Sequence, residues 1–342
     1  MGVVIRRSRL LLTPIVALVL AFASGCSGAT STASSSGTPS GAAAGVAGAT
    51  QSSYTAVVAA VSPSVVLIET QSGLGSGVAF DAQGDIVTNA HVVGTSQTMI
   101  VTAADGTQFD ASLVGKYAGG DIAVIKVPAG KIHPAAWGDS SKLQVGEVVL
   151  AMGNPLGYQS SVTEGIISGL GRTVAEPNGA VLTDVVQTSA AINPGNSGGA
   201  LVDMQSRVVG LPTLTAVDPQ VGGVAPGIGF ALPSSLVSEY ANQIIKNGKV
   251  VNTNRAYLGV QVGETSGTGV VVLAVALGGP ADKAGIRAGD IIVSVNGRTI
   301  ESTSALSIAL AELTPGTNAS IGVNRDSTAM SVTVMLGTMP AA

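Results

Sequence analysis

Thr88-Asn89-Ala90-His91-Val92-Val93, Asp121-Ile122-Ala123-Val124 and Gly195-Asn196-Ser197-Gly198-Gly199 hold the residue types that amide hydrolysis uses. Attack on an amide carbonyl needs a nucleophile, a base to take its proton, and an acidic group to orient that base. Imidazole is the side chain whose unperturbed charge change falls near neutral pH. Only two histidines exist, His91 and His133, so imidazole chemistry must use one of them. The order His, Asp, Ser differs from the Ser, Asp, His order of α/β-hydrolases and the Asp, His, Ser order of subtilisins. The glycines around Ser197 permit a tight turn in which the Gly195 and Ser197 amides face inward as an oxyanion hole. Gly198 and Gly199 leave room for a substrate backbone. Taken singly, each segment also has a plain structural reading: a Gly-rich loop, a packed histidine, a turn aspartate. The catalytic reading rests on the three occurring together.

Short β-branched runs must carry these residues: Val65–Thr70, Gly77–Phe80, Ile86–Asn89, Thr98–Thr102, Gln108–Leu113, Ile122–Val127, Glu147–Met152, Ser161–Ser168, Val185–Thr188, Ala200–Val202, Val208–Gly210 and Gly229–Ala231. Turn residues such as Asp81-Ala82-Gln83-Gly84 and Asp105-Gly106 separate them. Many strands without long helices between them predict an all-β barrel or sandwich. Ahead of them, Tyr54, Val57, Val58 and Val61 at i, i+3, i+4 and i+7 predict a short amphipathic helix that ends at Ser62-Pro63. Ser234–Asn247 predicts a closing helix with Gly248 as its stop. From about Arg255 a second, small α+β unit follows. Its predicted strands are Leu258–Val262, Val270–Ala274, Ile291–Val295, Ala319–Val323 and Ser331–Leu336, with helices at Ala281–Ala284 and Ser302–Leu313.

Composition excludes several functions. The 342 residues are 46% hydrophobic but only 3% aromatic, so Val, Ile, Leu and Ala must build the core. The net charge is −4; without Arg6, Arg7 and Arg9, 13 basic residues face 20 acidic ones, a net charge of −7. That balance argues against nucleic acid as a partner, because tracking phosphates needs a basic face. Cys26 is the only cysteine, which excludes an internal disulfide and Cys-rich metal sites. Neither a metal nor a cofactor is expected.

The start of the chain reads as an address. Basic residues at 6, 7 and 9 precede an uncharged run, Leu10–Ala23, too short to span a bilayer comfortably. Ala23-Ser24-Gly25-Cys26 resembles a bacterial lipobox, whose cysteine becomes the lipidated N-terminus; an uncleaved anchor is the alternative. Residues 27–52 are mostly Ser, Thr, Ala and Gly without charge and read as a flexible tether to a membrane.

Thr88–Val93, Gly120–Val127 and Ala190–Leu201 together resemble the trypsin-like serine proteases of the HtrA (DegP/DegS/DegQ) family, over about residues 53–340. The resemblance implies a mainly β fold: a chymotrypsin/trypsin-like double β-barrel over 53–248, then a PDZ domain over 255–340. It assigns Ser197 as nucleophile, His91 as base then acid, and Asp121 as the group orienting His91. The Gly195 and Ser197 amides become the oxyanion donors. Tyr257-Leu258-Gly259-Val260 resembles the PDZ carboxylate-binding loop, where a peptide C-terminus adds as a strand. Ala191, six residues before the nucleophile, would floor the primary pocket, with Ile228, Gly229 and Phe230 as its wall, favouring cleavage after small aliphatic residues. Arg172, in Gly169-Leu170-Gly171-Arg172, is similar to the family's sensor-loop arginine. Pro212 departs from the family pattern, which has Asn near that position. The resemblance also extends to a homotrimer built through aromatic residues near the start of the protease, for which Tyr54 is available. The implied substrates are unfolded or misfolded envelope proteins. The alternatives are a proteolytically silent, PDZ-based chaperone or binding module, and an esterase using the same triad.

Overall fold

Alternating β-branched and small residues close two barrels. In the first, β1 (Val65–Thr70), β2 (Gly73–Ala79), β3 (Asp85–Thr88), β4 (Thr98–Thr102), β5 (Gln108–Tyr117) and β6 (Ile122–Lys126) pair antiparallel in the order β1-β2-β3-β6-β5-β4. In the second, β7 (Val148–Gly153), β8 (Ser161–Ala175), β9 (Val181–Thr188), β10 (Ala200–Asp203), β11 (Val208–Asp218) and β12 (Gly223–Pro233) close as β10-β11-β12-β9-β8-β7. This computed structural model describes residues 41–71, 73–154, 161–175, 181–193, 195–218 and 223–340. Cys26, the expected signal segment and the first part of the tether lie outside the described residues.

One face of each strand fills its own barrel. Val66, Ile68, Ile86, Val101 and Ile125 fill the first, and Val149, Ala151, Ile167, Leu201 and Val209 the second. The other face fills the seam between barrels, where Val65, Val87, Ile122 and Val124 meet Leu150, Met152, Leu211 and Leu232. α3 (Ser234–Asn247) closes that seam with Val237, Tyr240 and Ile244, and Gly248 ends it at φ +72 by donating to the Ile244 carbonyl at 2.7 Å. The strands carry further than their hydrophobic cores suggest. β8 and β11 run well past the predicted ends, because cross-strand pairing continues to Ala175 with Val181 and to Asp218 with Gly223.

The N-terminal helix is also longer than predicted. α1 spans Gly41–Val61 and so begins inside the 27–52 stretch expected as a tether. Val57 and Val61 are buried and supply the nucleus, and the Ala-rich sequence before them costs little to add to a helix already started. Among the described residues, no helix is long and apolar enough to cross a membrane. The chain divides into Met1–Ala47 and a compact unit, Gly48–Ala342, that holds both barrels and everything below.

The C-terminal strands β13 (Ala256–Tyr257), β14 (Val260–Glu264), β15 (Val270–Val275), β16 (Ile291–Val295), β17 (Arg298–Thr299), β18 (Asn318–Arg325), β19 (Thr328–Met335) and β20 (Gly337–Thr338) accompany α4 (Pro280–Lys283) and α5 (Thr303–Ala311). The main sheet runs β14-β15-β16-β18-β19, while β13 pairs with β20. One predicted strand, Leu258–Val262, is broken: Gly259 adopts φ +82, which turns the chain between β13 and β14. Ser302 caps α5 by accepting from the Ala305 amide at 3.1 Å.

Candidate active site

His91 stands on the single turn of helix α2 (Ala90–Val93) that follows β3. Asp121 ends the 3-10 turn Ala118–Gly120 and enters β6 at φ +49, a left-handed conformation that Asp tolerates better than most residues. The two preceding glycines are required by space. A Cβ on Gly120 would lie 2.7 Å from the Tyr117 ring, and one on Gly119 2.9 Å from its hydroxyl. This tight turn brings the Asp121 carboxylate to the imidazole: His91 Nδ1 lies 3.0 and 2.9 Å from its two oxygens. The His91 backbone amide donates to the same carboxylate at 3.1 Å, and Asn89 Nδ2 donates to the Asp121 carbonyl at 3.0 Å. Asp121 is 3% exposed and His91 44%, so the carboxylate is buried behind a ring that reaches solvent. A carboxylate only accepts, so Nδ1 carries a proton toward it.

Ser197 comes from the second barrel, on the turn before β10. Gly195 and Gly198 take φ +105 and +78, which side chains resist. Crowding adds to this: a Cβ on Gly198 would meet the Ser76 carbonyl and Thr88 Oγ1 at 2.3 Å, and one on Gly199 the Met152 carbonyl at 2.2 Å. Ser197 Oγ donates to the Thr213 carbonyl at 3.2 Å, and Thr213 Oγ1 donates a short bond to Asp121 Oδ2. Thr213 thus touches both the nucleophile candidate and the acid. Sequence reasoning missed it, because a threonine in a strand is ordinary. Among the described residues, the Gly195 and Ser197 amides donate no hydrogen bond, whereas Gly198 donates to Pro212 and Gly199 to Asn196. Pro212 itself lies beside a register shift in β11, where a missing donor does least harm.

The expected pocket residues are brought together unevenly. Ala191 is exposed, and its carbonyl accepts from Thr163 Oγ1 at 2.8 Å and Asn196 Nδ2 at 3.2 Å. Gly229 packs directly on its neighbour: a Cβ there would lie 2.5 Å from Ile192. Ile228 is exposed, while the Phe230 ring belongs to the seam between barrels. Arg172 is exposed on β8, and its guanidinium folds back across Gly169, which has no side chain to obstruct it. Among the described residues it makes no hydrogen bond to the 195–199 turn.

In the C-terminal unit, Tyr257, Leu258, Gly259 and Val260 form the turn from β13 to β14. The Leu258 and Gly259 carbonyls accept from the Ala281 and Ala276 amides at 2.9 Å, which fixes the turn from behind. A cavity of about 240 Å³ opens beside it, lined by Leu258, Val262, Leu306 and Leu310. Such a cavity fits an apolar side chain next to backbone amides. Arg255 borders the same cavity and donates to the Gly119 and Val181 carbonyls at 2.8 and 2.7 Å, linking this unit to the turn before Asp121. No group of three or more His, Cys, Asp or Glu capable of holding a metal occurs among the described residues.

Comparison with known proteins agrees with this architecture. The pattern of the trypsin-like peptidase domain matches residues 75–211, and that of the PDZ domain matches 256–336. A probable periplasmic serine endoprotease, DegP-like, of Brucella suis is 38% identical over 280 residues, covering 78% of this chain and 53% of the relative. The periplasmic pH-dependent serine endoprotease DegQ of Escherichia coli is 37% identical, covering 78% and 60%. The chain thus spans little more than half the length of these curated relatives. Among solved structures, the HtrA-type protease AlgW with a decapeptide superposes with TM-score 0.60 at 31% identity, covering 84% of this chain and 99% of that one. A serine endoprotease from Yersinia pestis gives 0.59 at 33% identity, covering 84% and 98%.

Proposed function

Because the chain belongs to the HtrA family of serine proteases with a trypsin-like peptidase domain and a PDZ domain, we propose that it is a serine endopeptidase in which Ser197, His91 and Asp121 act as one triad. The observation that carries this reading is the bond chain through Thr213. The Ser197 hydroxyl and the Asp121 carboxylate, from different barrels, are both bonded to that one residue, and Asp121 is bonded in turn to His91.

The chemistry follows from the geometry. Asp121 holds His91 with Nδ1–H toward the carboxylate, leaving Nε2 to accept a proton. A hydroxyl has one proton, so the bond from Ser197 to the Thr213 carbonyl must be given up before His91 Nε2 can take that proton. Attack by Ser197 Oγ on a peptide carbonyl then forms the C–O bond while His91 becomes imidazolium. The carbonyl oxygen gains charge, and the Gly195 and Ser197 amides are the donors suited to stabilise it. His91 next returns its proton to the leaving amine, and water repeats the sequence on the acyl-enzyme.

Ala191 and the Gly229 contact beside it leave no charge at the proposed pocket floor, so cleavage after Val or Ala is expected. Arg172 is proposed as the sensor for the oxyanion turn. The turn at Tyr257–Val260 and its apolar cavity are proposed to capture peptide C-termini, with unfolded envelope proteins as substrates. Cys26 is proposed as a lipid anchor outside the cytoplasm, in keeping with the periplasmic naming of the relatives. A homotrimer is proposed as the assembly; Glu164 of the same chain raises the pKa of the hydroxyl of Tyr54, the aromatic expected at its interface.

The deciding experiment combines fluorophosphonate labelling with casein turnover. Labelling at Ser197 together with casein cleavage is expected. Absent labelling and turnover alongside suppression of substrate aggregation would replace the reading with that of a silent PDZ-based chaperone.

A further inference from the structure

Ser76 lies in β2 of the first barrel, fully buried, and no step above uses it. Its bonds converge on the reacting parts of both barrels. Its Oγ donates to the Gly195 carbonyl at 2.5 Å, and its backbone amide donates to the Ser197 carbonyl at 3.0 Å. The same Oγ accepts from the Asn154 amide at 2.8 Å. The Ser76 carbonyl accepts from Thr88 Oγ1 at 2.6 Å, on the strand that leads to His91.

We infer that Ser76 is a positioning residue for the oxyanion turn, and that its hydroxyl sets the rate of acyl transfer without touching the substrate. The inference rests on the proposed serine-protease reading. Gly195 lacks a Cβ and sits at φ +105, so nothing of its own holds its peptide plane. A planar trans peptide turns as a unit. Pinning the Gly195 and Ser197 carbonyls toward β2 therefore fixes the Gly195–Asn196 and Ser197–Gly198 peptides, and the Gly195 N–H, in the preceding peptide, is set from there through the two torsions of Gly195. The Asn196 carbonyl is fixed separately, by accepting from the Gly199 amide at 2.9 Å, which aims the Ser197 N–H the opposite way. Of these restraints, the bond to Gly195 alone is made by a side chain, and it crosses from one barrel to the other. An oxyanion donor is effective only if it is aimed before charge develops. Among the described residues, loss of the Ser76 hydroxyl leaves the Gly195–Asn196 peptide held by the Asn196 amide alone, which donates to the Asn193 carbonyl at 3.0 Å, and so loosens the glycine whose torsions set the Gly195 N–H.

The position also explains why a serine stands there. A buried Oγ that donates to one carbonyl and accepts from one amide has both of its functions used, and alanine would leave the Gly195 carbonyl and Asn154 amide without that partner. The His91–Asp121 pair shares no atom with these bonds. Ser76 is thus expected to alter transition-state stabilisation and leave the protonation of the base alone.

The test uses the full chain with Ser76→Ala and, as the hydroxyl-bearing control, Ser76→Thr. Substrate is a short peptide with Val at the cleavage site; a peptide boronic acid of the same sequence bonds to Ser197 Oγ and places an oxygen in the oxyanion position. For Ser76→Ala we expect kcat about 10- to 100-fold lower, at or below the ~10²–10³ loss of an oxyanion donor outright. KM should stay within twofold, boronate affinity should fall in parallel with kcat, and the acid limb of the pH–rate profile should not move. Ser76→Thr should recover most of kcat. If Ser76→Ala does not fold, Ser76→Cys, with a weaker donor of similar size, should show the same pattern. Unchanged kcat and boronate affinity would overturn the inference. So would equal losses in substrate and boronate binding, which mark a general packing defect. Wild-type protein that fails to react with fluorophosphonate would instead overturn the protease reading itself, whatever Ser76 does.

Discussion

The first barrel joins its own two members of the site to each other, whereas the second relies on the first to hold its turn. His91 and Asp121 are thirty positions apart and already joined by side-chain and backbone bonds, all supplied within one barrel. The 195–199 turn has local support at Asn196, whose carbonyl accepts from Gly199 and whose amide donates to Asn193, but not at the carbonyls on either side. Its carbonyls are held by Ser76 from the other barrel, and the Ser197 hydroxyl is turned to Thr213. On the proposed reading, the difference places control of the rate at the docking of the two barrels. A prebuilt acid–base pair waits on a nucleophile and an oxyanion turn whose arrangement depends on how the two barrels dock.

The largest test of this contrast removes the nucleophile. Ser197→Ala is expected to reduce kcat by about 10⁶ and abolish fluorophosphonate labelling, with folding intact. Casein turnover that survives would show that the second barrel does not supply the nucleophile. Next, Asp121→Asn keeps the shape of the acid but lets the ring choose the wrong tautomer, and kcat should fall by about 10⁴. A loss under tenfold in steady-state assays would mean that the first-barrel pair is not the base.

Thr213→Val probes the link between the halves at smaller scale. It deletes the short bond to Asp121 while leaving the backbone carbonyl that receives Ser197. A hydrogen bond to a charged group contributes about 1.5–3 kcal/mol, so kcat should drop roughly 10- to 100-fold. An unchanged kcat would show that Asp121 needs no help from the second barrel.

The parts of the site that depend on local backbone were legible in the sequence. Gly119-Gly120-Asp121 and the glycines of 195–199 announce tight turns, because a side chain would collide with the Tyr117 ring at Gly120 and with neighbouring backbone at Gly198 and Gly199. The helix Ser234–Asn247 and its Gly248 stop follow from apolar spacing and a left-handed end. What could not be read is whatever depends on long-range docking. Ser76 and Thr213 are an ordinary serine and threonine in strands, and only closure of two barrels brings them to Gly195 and Asp121. Phe230 likewise reads as a pocket wall from its place beside Gly229, but the seam between barrels claims its ring. Strand lengths failed for a related reason: pairing partners, not the run of apolar residues, decide where β8 and β11 end.

A smaller effect separates the barrels from the PDZ domain by acid. Asp290, buried before β16, accepts from Arg325 Nε at 2.7 Å and Nη2 at 2.8 Å, and from the Arg287 amide. The Arg325 bonds hold its carboxyl below the usual range. Its stabilising contribution is therefore complete above the unfolded value near ~4 and is lost as pH falls through the lower folded one. Asp85, beside β6 of the first barrel, behaves oppositely. Burial raises its carboxyl despite the bond to Lys126 at 2.7 Å, so protonation of Asp85 comes early and relieves a cost instead of adding one. Acid should thus loosen the PDZ domain before the barrels. Hydrogen exchange at β16 and β18 should accelerate below about pH 4 while fluorescence of Trp137, the single tryptophan, packed edge-on against Phe80 in the protease, stays native. Asp290→Asn should lower stability of the PDZ domain by about 3 kcal/mol at neutral pH, the lower end of the range for removing one partner of a buried pair, and should flatten its acid dependence. Turnover of a short peptide that does not need the PDZ groove should be unchanged. Simultaneous acid loss of both signals in the wild type would mean that the two regions unfold as one, and that the contrast in carboxylate burial has no consequence for the order in which they yield.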